Sequence, residues 1–202
     1  MLTPQLKAPV VALVCSTGGL DAITRILGHV PPDFAAAVIV LRHQSPDAQD
    51  RLANILRRHT ELPVATARDG DRLVAAQVFV APAGYHTLVT GEGTLALIVS
   101  GDRPPYRPSA DLLLATLAVA VGPRAIAVVL SGHGNDGATG ATAVHHLGGV
   151  VIASDEGSSR VFSMPYAAIN RDEIVDHVVP VDEIATLLTT LVARRPVLAA
   201  DR

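Results

Sequence analysis

The sequence predicts an α/β domain: a doubly wound, mainly parallel sheet flanked by helices, with an antiparallel hairpin at one edge. Three observations predict it. Short runs rich in β-branched residues recur at 10–14, 36–41, 64–67, 125–130 and 150–153. Several are apolar at every position, as a strand covered on both faces reads. Amphipathic stretches fall between them, and alternation of strand and helix is the pattern of a parallel sheet.

The elements follow in order. After the strand at 10–14 comes a helical pattern over 20–27. After 36–41, the stretch 48–59 places Leu52, Ile55 and Leu56 on one stripe, with Arg51, Arg57 and Arg58 elsewhere. The segments 78–81, 86–90 and 95–100 are separated by Pro82-Ala83-Gly84-Tyr85 and Gly91-Glu92-Gly93, and read as antiparallel hairpins. Pro108-Ser109 opens a helix over 110–121, with Ser109 as its N-cap, and Gly122-Pro123 ends it. A helix over 136–147 is closed by Gly148-Gly149. The last spans 181–193, with Asp182 at its start and Arg194-Arg195-Pro196 after it. The strand at residue 10 leaves no room ahead of it for another domain, so the expectation is one domain over 1–202, with 196–202 a frayed tail.

Composition narrows the function. The chain has 202 residues, 16 Lys+Arg against 19 Asp+Glu and a net charge of −3. Hydrophobic residues make up 49% and mean hydropathy is +0.37. That excludes disorder, which needs low hydrophobicity. It also argues against nucleic-acid binding, whose footprint is basic. With no Trp, three Phe and three Tyr, the core must be aliphatic. The single cysteine, Cys15, allows no internal disulfide. The apolar stretch 10–15 is too short for a signal-peptide core. The run 112–121 is far below the ~20 residues that span a bilayer. The expectation is a cytoplasmic protein without membrane insertion. The histidines lack metal-ligand spacing, and neither a dinucleotide nor a Walker glycine motif is present, so no metal and no cofactor is expected.

In an open parallel sheet, ligands bind beyond the carboxyl ends of the strands. Three such ends carry chemistry. After the first strand comes Cys15-Ser16-Thr17-Gly18-Gly19. A hydroxyl here is exposed and faces the positive end of a helix dipole. Ser16 is therefore a candidate nucleophile, the alternative being a helix cap or an anion-binding loop. After the second strand comes Arg42-His43-Gln44. His43 can reach a hydroxyl at a neighbouring strand end and serve as its base, or it is a surface histidine. After the strand at 125–130 comes Ser131-Gly132-His133-Gly134-Asn135-Asp136-Gly137. Asp136 can cap the helix that follows it or orient a histidine, and both only if separate carboxylate oxygens serve the two roles. Together these side chains favour an enzyme.

This combination resembles the catalytic domain of the chemotaxis protein-glutamate methylesterase (CheB) family over nearly the whole chain. The resemblance rests on Ser16-Thr17-Gly18-Gly19, Val40-Leu41-Arg42-His43, Val78-Phe79-Val80-Ala81-Pro82, Tyr106-Arg107-Pro108-Ser109-Ala110-Asp111, Leu130 through Gly137, and Phe162-Ser163-Met164-Pro165-Tyr166-Ala167-Ala168. It implies a serine hydrolase that removes methyl groups from glutamate γ-methyl esters on the cytoplasmic helices of methyl-accepting chemotaxis receptors, releasing methanol, and that often deamidates receptor glutamines. Carried over, Ser16 is the nucleophile, His43 the general base and Asp136 the orienting carboxylate. Backbone N–H groups around Thr17 and His133 are oxyanion donors, with Gly18 beside them. Arg107, Ser109 and Asp111 support the site or contact substrate.

The chain departs from the family pattern in places. Val14-Cys15 stands where Gly-Ala or Gly-Thr is usual, and His133 where Met is usual. Cys15 adds a soft nucleophile beside Ser16, although it continues the apolar strand and is expected to be buried and inert. His133 can compete with His43 for Ser16 or Asp136. The receiver domain usual in the family is not in this sequence, so the expectation is constitutive activity or control by a separate regulatory protein. A deamidase or esterase with another protein substrate, and a non-catalytic adaptor that binds a helical partner, are the competing readings.

Overall fold

The computed structural model describes residues 8–48, 51–99 and 108–194. Arg107 and the tail 196–202 lie outside the described residues. The elements in chain order are β1 (Val10–Cys15), α1 (Gly19–His29), β2 (Ala37–Arg42), α2 (Leu52–Leu56), β3 (Val64–Thr66), β4 (Val78–Val80), β5 (Tyr85–Val89) and β6 (Leu95–Val99). Then come α3 (Ala110–Val121), a 3-10 turn (Gly122–Arg124), β7 (Ala125–Val129), α4 (Ala138–His146), β8 (Val150–Ser154), α5 (Ser163–Ile169), β9 (His177–Val179) and α6 (Val181–Ala193).

Seven strands form one sheet in the order β3-β4-β2-β1-β7-β8-β9. Every pairing in it is parallel. The unbroken apolar runs have a direct cause. Along β1, Val11, Leu13 and Cys15 enter a core with α1, α2 and α6, whereas Val10, Ala12 and Val14 enter a second core with α3, α4 and α5. Alternate residues point to opposite faces, and both faces are covered, so no position is left for a polar side chain.

Two expectations need correction. Segment 78–81 is not part of a hairpin: β4 lies between β2 and β3, parallel to both, with Val38 opposite Val78 and Val64 opposite Val78. The expected antiparallel hairpin is present as β5–β6, a two-stranded sheet of its own beside the parallel one. It is seated against α3, where Val89 N donates to Thr116 Oγ1 at 3.1 Å. The helix expected over 48–59 is only Leu52–Leu56. The 110–121 and 181–193 helices have the expected limits. Ser109 caps α3, accepting from Leu112 N at 3.3 Å.

The topology selects one crevice. From β1 the chain crosses to β2 on one side, and from β7 it crosses to β8 on the other. The strand order therefore reverses between β1 and β7, and a ligand crevice opens beyond their carboxyl ends. The turns that leave those two strands carry Ser16 and Asp136.

Candidate active site

Register brings the first two side chains together. Cys15 lies opposite Arg42 in the β1–β2 ladder, so Ser16 and His43 are the next residue on each strand. His43 N donates to Cys15 O at 2.9 Å, which extends the pairing to the mouth of the crevice. Ser16 N donates to Ser131 O at 2.9 Å, tying the turn that carries Ser16 to the turn after β7. Ser131 is buried and makes the joint firm: its Oγ donates to Thr17 O at 2.8 Å and accepts from Val161 N at 3.0 Å.

Two glycines let these turns meet. Gly18 has φ +83°, a left-handed conformation that side chains disfavour, and it turns the chain from β1 into α1. At Gly132 the constraint is space. A Cβ there would stand 2.8 Å from Ser16 Cβ and 2.9 Å from Ser16 N, and would also strike Met164 Sδ. The sequence offers Gly132 as one of three glycines that let the turn after β7 fold tightly, and gives Met164 no role; both pack directly around Ser16.

Asp136 is the electrostatic centre. Its carboxylate is 3% exposed, and Oδ2 accepts from His43 Nε2 at 2.8 Å, the imidazole itself being 10% exposed. Oδ2 also accepts from Ala110 N at 2.7 Å, while Oδ1 accepts from Asp111 N at 2.9 Å and from Ser109 Oγ at 3.3 Å. Asp136 thus caps a helix and holds a histidine at once, but the helix is α3, not the α4 that follows it. The expectation that the roles need separate oxygens also fails, because Oδ2 has lone pairs for both donors.

The cap of α4 comes from the other side. Asp111 Oδ1 accepts from Gly137 N at 2.9 Å and Gly140 N at 2.8 Å. Helices α3 and α4 therefore exchange acidic caps, each carboxylate placed at the positive end of the other's dipole. Burial works to raise the Asp136 pKa, but the bonds from His43, Ala110 and Asp111 outweigh it and hold the carboxyl below its ordinary value. Asp111 shifts the other way: burial, aided by the neighbouring Asp136 charge, raises it against the bonds from Gly140 and Gly137.

The other expected residues fall around this centre. Thr17 is exposed, and the N–H groups of Thr17 and His133 donate to no acceptor among the described residues. His133 is exposed, and its ring makes no hydrogen bond among the described residues, so it does not compete for Asp136. Ser16 Oγ likewise makes no hydrogen bond among the described residues; the contact with His43 is one of adjacency. Such a bond commonly closes only when substrate is bound. Cys15 is fully buried and its thiol is pushed up to about 12 by burial, against the opposing charge of Arg42. It stays protonated at neutral pH and is inert as a nucleophile. His86 supports from the hairpin, its Nδ1 accepting from Ser109 N at 3.0 Å.

Fold and cluster first define a class: a doubly wound parallel domain with hydroxyl, imidazole and carboxylate gathered at its topological switch point. Comparison with known proteins then places the chain within that class. The family model of the CheB methylesterase matches residues 11–188. A protein-glutamate methylesterase/protein-glutamine glutaminase of Anaeromyxobacter dehalogenans is 40% identical over 92% of this chain and 54% of its own length. One of Koribacter versatilis is 35% identical over 95% of this chain and 53% of its own. The crystal structure of the Thermotoga maritima CheB methylesterase catalytic domain superposes with a TM-score of 0.87 at 32% identity, covering 92% of this chain and all of that one. The chain belongs to the CheB methylesterase family and spans about half the length of these curated relatives. No described helix is long and apolar enough to cross a membrane.

Proposed function

We propose that this domain is a serine hydrolase of glutamate γ-methyl esters on the cytoplasmic helices of methyl-accepting chemotaxis receptors, acting in the cytoplasm. The observation that carries the reading is the buried His43–Asp136 pair directly beside Ser16. Asp136 accepts the proton-bearing Nε2 of His43, so Nδ1 is the nitrogen that acts as base. His43 takes the Ser16 proton as Oγ bonds to the ester carbonyl carbon. The imidazolium that forms is stabilised by Asp136.

The oxyanion lies against the N–H groups of Thr17 and His133, each such donor being worth about 10²–10³ in rate. The C–O bond to methoxide then breaks, His43 returns the proton, and methanol leaves. Water, deprotonated by His43, attacks the carbonyl of the glutamyl–Ser16 ester; the C–Oγ bond breaks, His43 returns the proton to Ser16 Oγ, and the glutamate leaves. An amide in the same place loses ammonia, in line with the double name of the relatives. A separate regulatory protein belongs to the same proposal.

A fluorophosphonate probe tests it. One probe per chain should attach to Ser16, and Ser16→Ala and His43→Gln should abolish labelling. Labelling elsewhere, or none, would overturn the assignment.

A further inference from the structure

Arg160 backs the nucleophile turn from the loop after β8. A Cβ on Gly18 would stand 2.8 Å from Arg160 Cβ and 3.2 Å from its Cδ, so the stem of this arginine lies across the turn that carries Ser16. The residue is exposed. With Gly18, Asp21, Thr24, His59 and Ser158 it lines an open cleft of about 550 Å³. The acid of that cleft, Asp21, is already engaged by Arg25 at 3.4 Å. Among the described residues the Arg160 guanidinium has neither an ion pair nor a hydrogen bond.

A second cation flanks the same turn. Arg42 acts on the Cys15 thiol, and its Nε is buried without a partner. The nearby carboxylates, Asp136 and Asp111, are committed to His43 and the helix caps. Among the described residues, Arg160 and Arg42 are thus cations beside the Ser16 turn that no carboxylate pairs.

We propose that Arg160 is a specificity-determining residue that pairs with a carboxylate which the protein substrate carries about one helical turn from the reacting side chain. The inference rests on the reading of Ser16 as nucleophile. A γ-ester or amide is uncharged, so charge recognition must come from its neighbours. On a helix, residues three and four apart stand roughly 5–6 Å from one another, so the neighbour falls on the same face as the reacting group. Arg160 selects helices that are acidic on that face.

The test uses the Ser16→Ala chain and fluorescence anisotropy with two helical peptides. Each has glutamine at the reacting position, flanked four residues away by Glu in one peptide and by Lys in the other. The Glu peptide should bind about three- to tenfold tighter, as expected for a partly exposed charge pair. The preference should shrink in about 0.5 M salt. Arg160→Glu should invert it, and Arg160→Lys should keep part of it. Equal affinities, a preference that survives Arg160→Glu, or no binding of either peptide would overturn the proposal. Methanol release by the unmutated chain is read separately. If it fails while the charge preference stands, the esterase reading falls and the Arg160 assignment does not.

Discussion

Replacing Asp136 by Asn should damage stability and turnover together, through one atom exchange. Asp136 receives four donors: His43 Nε2 and Ala110 N on Oδ2, Asp111 N and Ser109 Oγ on Oδ1. Asparagine must put an NH2 where one oxygen was. If the NH2 replaces Oδ2, it faces Ala110 N–H and forces His43 Nε2 to accept, which moves the ring proton to the wrong nitrogen. If it replaces Oδ1, Ser109 Oγ can rotate to accept, but Asp111 N–H is left facing a donor. Either way a backbone N–H at the start of α3 loses its partner in a buried place, at a cost of about 1–3 kcal/mol. The lost charge also removes the stabilisation of imidazolium, and the comparable change in a Ser-His-Asp triad lowers turnover about ten-thousand-fold. Urea unfolding followed by circular dichroism, beside methanol release, measures both. Wild-type stability would refute the double role of Asp136 as cap of α3. Wild-type turnover would refute its role in holding His43.

Further outcomes follow from the same geometry. Gly132→Ala drives a methyl group onto Ser16 and Met164. It should cost about 1–3 kcal/mol by overpacking and, because Ser16 is displaced, about a hundredfold in turnover; unchanged kinetics would show that the turn has room to give. Cys15 should resist iodoacetamide at pH 8 in the folded protein and react in urea, since its thiol is buried and titrates at about 12. The lowered Asp136 pKa means that the unfolded chain binds the proton more tightly. Its stabilisation is therefore full above the ordinary carboxylate range and is lost as pH falls through the lowered value. Asp111, raised, contributes with the opposite sign. Asp136→Asn should flatten the acid limb of a stability–pH curve, and an unaltered limb would contradict the direction of the shift.

How far the sequence carried these features depended on whether the cause was local. The strands β1, β2 and β7 were legible because burial on both faces leaves a run with no polar position, and Ser109 was legible because capping is decided within one turn. β4 was misread since a short strand next to Pro82 and Gly84 looks like half of a hairpin; its place between β2 and β3 is a tertiary fact. β9 has three half-buried or exposed residues at the sheet edge and gives almost no pattern. In the site, Ser16, His43 and Asp136 stood out because each follows a strand. The exchange of caps between Asp136 and Asp111 did not, because it depends on α3 and α4 lying side by side. Arg160 carried no signal at all, as only the folded turn brings it against Gly18.

Hydrolysis of protein glutamate methyl esters by Ser16 with His43 and Asp136 is read out by methanol release from methylated receptor cytoplasmic fragments. The wild-type chain should release methanol, and Ser16→Ala of equal stability should release none. Equal release by the two proteins, or none by the folded wild type, would contradict it.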